Sequence, residues 1–103
     1  MTFIHENHKV YVKNDEGTII VNATFPFIEP GVVNINHTYV DPSLRGQGVA
    51  STLMHEVIKH IESQHLKLVA TCPYAVVWLK KHQEFAHLID EHVQLKLAPE
   101  CQI

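Results

Sequence analysis

The sequence predicts a mixed α/β fold of the α+β kind, with helices packed on a mostly antiparallel sheet. Three observations carry this. Residues 8–14 alternate polar and apolar, as in a half-buried strand, and two β-rich runs separated by turns follow before position 41. The hydrophobic period changes to three and four residues at Gln47, which marks a helix. Strand character then returns at Leu66, before Pro73 opens a second helix.

Taken in order, residues 8–14 alternate and predict a first strand, closed by the hairpin-type turn Asp15-Glu16-Gly17. Thr18 to Phe27 is rich in β-branched and aromatic residues and predicts a second strand, with Pro26 at an edge or bend. Glu29-Pro30-Gly31 reads as another turn. Val32 to Val40 predicts a third strand, with Val33, Ile35, His37 and Tyr39 on one face and Asn34, Asn36, Thr38 and Val40 on the other. Val49, Leu53, Met54, Val57, Ile58 and Ile61 form the apolar stripe of a helix running to about Gln64. Leu66 to Cys72 predicts a fourth strand, and Pro73 to about His82 a second helix. Val93, Leu95 and Leu97 alternate like a last strand. The predicted order is β-β-β-α-β-α-(β), with the fourth strand parallel to the third because a helix connects them.

Bulk properties narrow the function. The chain has 103 residues, 46% of them hydrophobic, which fits one domain with its own core. Net charge is −3 and Arg45 is the only arginine, so no basic face for nucleic acid is expected. No apolar run approaches the roughly 20 residues of a membrane span, and the first residues lack a basic start and apolar core of a signal sequence. These observations predict a cytoplasmic chain in which Cys72 and Cys101 are free thiols. The nine histidines suggest no metal site. His55, His60 and His65 are five apart, as are His82, His87 and His92, and that spacing does not share a helix face. They are expected to be solvated surface residues. Trp78 is expected in the core.

The stretch richest in chemistry is Val40-Asp41-Pro42-Ser43-Leu44-Arg45-Gly46-Gln47-Gly48-Val49-Ala50. It joins a strand to a helix through two glycines, which lets a ligand approach the backbone closely. A helix start presents unpaired N–H groups and a positive dipole, so this is an anion site suited to a pyrophosphate. A P-loop ending is absent. A dinucleotide fingerprint would place a third Gly or Ala where Ser51 stands, in a parallel sheet rather than after three antiparallel strands. The pattern Arg/Gln-x-x-Gly-x-Gly/Ala is matched by Arg45, Gly48 and Ala50. Without a ligand the same residues would be a plain turn.

Arg45-Gly46-Gln47-Gly48-Val49-Ala50 resembles the acetyl-CoA pyrophosphate loop of the GNAT superfamily of N-acetyltransferases. Tyr39-Val40-Asp41-Pro42 resembles the end of their central strand, and His37-Thr38-Tyr39-Val40 with Thr71-Cys72-Pro73-Tyr74-Ala75 resembles a small single-domain subgroup. The likeness runs over about residues 5–97. It implies that residues 1–103 form one GNAT-like acyl-CoA-binding domain and that acetyl-CoA is the cosubstrate. It further implies that Arg45 and the Gly46, Gln47, Gly48, Val49 and Ala50 backbone hold the pyrophosphate. Main chain near Tyr39 and Val40 would pair with the pantetheine arm as an added strand, with Tyr74 nearby.

Cys72 ends a strand just before Pro73, at a helix start that favours thiolate. It is therefore a candidate to accept the acetyl group and pass it on, or to line the site while an amine attacks directly. His37 is a candidate base toward either, or a hydrogen-bonded core residue. Against the family pattern Asn-x-x-Ala-x-x-x-Tyr, Cys72 takes the Asn place, Ala75 matches and Leu79 takes the place of the Tyr acid. The helices usually found between the first two strands are replaced by Asp15-Glu16-Gly17. The expectation is an N-acetyltransferase acting on an unidentified primary amine, with a non-catalytic acyl-CoA sensing module and a slow thioesterase as rivals. A sheet edge near the C-terminus is expected to allow pairing with a second copy, hence a monomer or weak homodimer.

Overall fold

The computed structural model describes residues 1–97, Cys101 and Ile103. Its strands are β1 (Ile4–Glu6), β2 (Lys9–Lys13), β3 (Ile19–Thr24), β4 (Phe27–Glu29), β5 (Val32–Ile35), β6 (His37–Val40) and β7 (Lys67–Ala70). Its α-helices are α1 (Val49–Ser63), α2 (Pro73–Lys81) and α3 (Glu91–Leu95). A four-stranded antiparallel sheet has the order β1-β2-β3-β6, and a second sheet the order β4-β5-β7. The β5–β7 pair is parallel, as the α1 crossover requires.

The predicted third strand is two strands in two sheets. Asn36 N–H donates to the Thr24 carbonyl (3.2 Å), while Thr24 also pairs with His37, so two residues oppose one. This bulge shifts the side-chain alternation by one. Val33 and Ile35 point into the core, but beyond Asn36 it is Thr38 and Val40 that turn inward, while His37 and Tyr39 are exposed. The expected common face of Val33, Ile35, His37 and Tyr39 is therefore broken.

Helix α1 lies across both sheets and buries Leu53, Met54, Val57, Ile58 and Ile61 against Val10, Val12, Val21, Ala23, Val33, Ile35, Leu68 and Ala70. Each large side chain so buried contributes about 1.5–3 kcal/mol relative to leaving it in water. The opposite face of the second sheet is covered too, with Val32 and Val69 packing on Val93 and Leu97.

The C-terminal strand expected from Val93, Leu95 and Leu97 is replaced by α3. Asp90 caps it by accepting from Val93 N–H (3.0 Å). The alternating residues do not share a face, since Val93 is buried and Leu95 is 72% exposed. The buried Gln94 side chain accepts from Ala70 N–H (3.0 Å) and donates to Ala70 C=O (3.1 Å), so one amide occupies the edge of β7 in place of a strand. The C-terminal sheet edge expected to pair a second copy is thereby covered. Strand β1, whose three residues are all exposed, was not expected from the sequence.

Candidate functional site

The bulge opens a gap. The Ile35 carbonyl accepts from both Thr71 N–H and Cys72 N–H (3.1 Å each), which closes the β5–β7 ladder. Beyond that point β6 pairs only with β3 and is an edge of its sheet. Asp41 N–H donates to Ile20 C=O (2.8 Å). By the alternation of an antiparallel ladder, Thr38 and Val40 then direct their backbone groups toward the open edge.

The loop after β6 is built by local chemistry. Asp41 caps a 3₁₀ turn, Pro42–Leu44, by accepting from Ser43 N–H (3.0 Å). The hydrogen bonds from the Ser43 hydroxyl and then its backbone hold the Asp41 carboxyl below its ordinary pKa, so it stays charged. Arg45 Nε donates to Val40 C=O (3.3 Å), which holds the guanidinium stem across the loop. Gly46 and Gly48 have φ of 83° and 74°, the left-handed region that disfavours other residues. A Cβ at either would meet no heavy atom within 4 Å, so the space above the loop is open. Gly48 caps α1 without any side-chain bond, leaving the first turn's N–H groups and the helix dipole facing outward.

Loop and open edge meet in one cleft of about 400 Å³. Tyr39, Val40, Arg45, Gly46, Gly48, Val49, Ala50 and Tyr74 line it. Gln47 does not, because its side-chain amide turns back to donate to Ser43 C=O (3.4 Å). Thr38, Leu44 and Ser51 also line the cleft and were not singled out from the sequence. The residues are those an acyl-coenzyme A would require: a glycine floor and helix start for a diphosphate, one arginine, and a free strand edge. Burial raises the Tyr74 phenol above its ordinary pKa, so it is a neutral donor at the mouth.

Cys72 is the N-cap of α2, buried at 7% exposure, and its Sγ lies 3.3 Å from Thr38 Oγ1. It therefore backs the cleft through Thr38 rather than walling it. His37 does not join it. Because Thr38 faces Cys72, its neighbour His37 projects to the opposite side of the strand. The expected Cys72–His37 pairing is not formed, and the exposed His37 is not a core residue. Leu79, at the place of the family's Tyr acid, is buried. None of the described residues that wall the cleft is His, Asp or Glu.

Several histidines expected in solvent are packed against rings. His82 stacks on Trp78 at 3.7 Å, and His55 meets the same indole edge-on at 5.0 Å. His60 contacts Phe25 and pairs with His5, whose Nδ1 is 3.2 Å from that of His60. Among the described residues no group of three or more His, Cys, Asp or Glu is placed to hold a metal ion. Nor is any helix there long and apolar enough to cross a membrane.

The sequence profile of the GCN5-related N-acetyl-transferase family matches residues 9–88. Among solved structures, a GCN5-like protein from Staphylococcus aureus is 30% identical, with 85% of this chain covering 86% of that one at a TM-score of 0.71. An acetyltransferase from Bacillus cereus is 27% identical, covering 72% of this chain and 54% of that one at 0.58. A GNAT acetyltransferase from Elizabethkingia anophelis, solved with acetyl-CoA bound, shares the fold at 20% identity and a TM-score of 0.56, with 75% of this chain and 51% of that one covered. No curated protein matches the sequence significantly. The chain belongs to the GCN5-related N-acetyltransferase family.

Proposed function

We propose that this protein transfers the acetyl group of acetyl-coenzyme A to a primary amine. The observation that carries the reading is the meeting, in one cleft, of the β6 edge, which no further strand pairs, with the glycine-floored start of α1. Charge-assisted bonds from Arg45 and the α1 N–H groups would hold the diphosphate. The Thr38 main chain and the Val40 N–H would pair with the amides of the pantetheine arm, beside the Val40 C=O that accepts from Arg45 Nε. This arrangement would place the thioester at the β6–β7 gap, beside Thr38. The amine nitrogen attacks the thioester carbonyl, a C–N bond forms, and the C–S bond breaks to release coenzyme A. The amine's proton leaves and the thiolate gains one. The burial of Cys72 behind Thr38 favours direct attack, with Cys72 supporting Thr38, over an acetyl-cysteine intermediate.

The test is a calorimetric titration with acetyl-coenzyme A. Saturable binding that Arg45→Glu weakens by about tenfold or more would support the reading, since reversing a charge at a phosphate contact removes a charge-assisted bond. No binding at millimolar coenzyme would overturn it. A second reading, a non-catalytic acyl-CoA sensor, is favoured by one observation: among the described residues, no His, Asp or Glu lines the cleft. Release of coenzyme A thiol that depends on added primary amine would exclude the sensor, and its persistence in Cys72→Ala would support direct attack over an acetyl-cysteine intermediate.

A further inference from the structure

We propose that Ser51 is a side-chain donor to the coenzyme's diphosphate, and that Trp78 is the residue that positions it. The inference rests on the coenzyme reading above and adds to the backbone N–H groups of the loop. Ser51 stands in the first turn of α1, half-buried, and lines the cleft beside Gly48 and Ala50. Its Oγ is 3.0 Å from Trp78 Nε1. An indole nitrogen can only donate, so Ser51 Oγ is the acceptor of that bond. The hydroxyl proton must therefore point elsewhere, and the open side of Ser51 is the cleft. Phosphate oxygens, which only accept, suit a hydroxyl so oriented.

The indole is well fixed for this purpose. Trp78 is 4% exposed and packed against rings, with His82 stacked at 3.7 Å and 9°, and Phe85 nearly parallel at 5.7 Å. His55 closes its edge. His82 is held in turn by a contact of its Nδ1 with Trp78 C=O (2.7 Å). The Ser51 hydroxyl is thus oriented before any ligand arrives, which lowers the entropic cost of binding. A purely structural account, in which Ser51 only satisfies a buried indole N–H, would give stability but no link to the coenzyme.

The test titrates coenzyme A into wild type, Ser51→Ala, Ser51→Thr and Trp78→Phe, by calorimetry and, where Trp78 is present, by its fluorescence. Trp78 is the only tryptophan, so the signal is assigned without ambiguity. The proposal expects Ser51→Ala to bind about tenfold more weakly, the scale of one hydrogen bond to a charged group. Ser51→Thr should restore affinity, and Trp78→Phe, which keeps the hydroxyl but frees it, should weaken binding by a few-fold. In wild type the indole emission should change on saturation. Wild-type affinity in Ser51→Ala, even with a lowered melting temperature, would overturn the proposal and leave the coenzyme reading standing. Absence of coenzyme A binding in wild type would overturn both.

Discussion

The two ends of α1 are treated in opposite ways. At its C-terminus the chain turns back and caps the helix with its own backbone. His65 N–H donates to Glu62 C=O (3.0 Å) and Leu66 N–H to Ile61 C=O (3.1 Å), with His65 left-handed at φ 58°. That is a Schellman motif, in which the last carbonyls are satisfied by backbone, and Leu66 packs on the core beside it. At the N-terminus Gly48 offers no side-chain cap, and the first N–H groups face a cleft. One helix thus carries a sealed end and an unsealed one. The unsealed end is where a Ser, Asp or Asn cap would have contributed only about a few tenths of a kcal/mol over glycine. Leaving it bare is the feature that suits an anionic ligand.

The largest expected effect breaks the open end. Gly48→Val puts a β-branched residue at φ 74° and a side chain into the cleft. It should weaken coenzyme A binding by about a hundredfold, roughly 2.7 kcal/mol, and cost about 1–2 kcal/mol of stability through left-handed strain. Calorimetry and denaturant unfolding read the two effects separately, and unaltered binding would show that the loop is only a turn.

The matching change at the sealed end is smaller and opposite in sign. His65→Gly relieves a left-handed residue at the position where glycine is favoured, and should stabilise by up to about 1 kcal/mol. Coenzyme affinity should not move. If it does, the two ends are not independent and the comparison fails.

The smallest effect is a pH dependence at the sealed end. Burial first, then the neighbouring His5 and His8, lowers the His60 pKa. The folded chain therefore binds fewer protons there than the unfolded chain, whose histidines titrate near about 6.5. Stability should fall as the pH drops through that range. In thermal melts between about pH 7.5 and about pH 5.5 the loss should shrink in His60→Gln. An unchanged pH dependence would remove His60 from the account.

Much of this contrast was legible in the sequence. Arg45, Gly46 and Gly48 at a strand-to-helix switch pointed to the anion site, and the three-four period of α1 fixed which face is buried. The rest depended on tertiary context. The Asn36 bulge has no local marker, since asparagine there is neither glycine nor proline, yet it reverses the faces of His37 and Thr38. The segment of α3 carries a strand-like period of two at Val93, Leu95 and Leu97, and the two hydrogen bonds between the Gln94 amide and the Ala70 backbone accompany its helical form. Strand β1 has no buried face from which to read an alternation. Ser51 and Trp78 lie 27 positions apart, so their bond leaves no trace in any window of sequence.

The most direct test of the central claim is a ¹H–¹⁵N NMR titration with acetyl-coenzyme A. The account predicts that the perturbed amides cluster at the open end, on Thr38, Val40, Arg45, Gly46, Gly48 to Ser51 and Tyr74, while His65 and Leu66 stay fixed. Perturbations centred on His60, Gln64 and Leu66 at the sealed end, or none at saturating coenzyme, would contradict it.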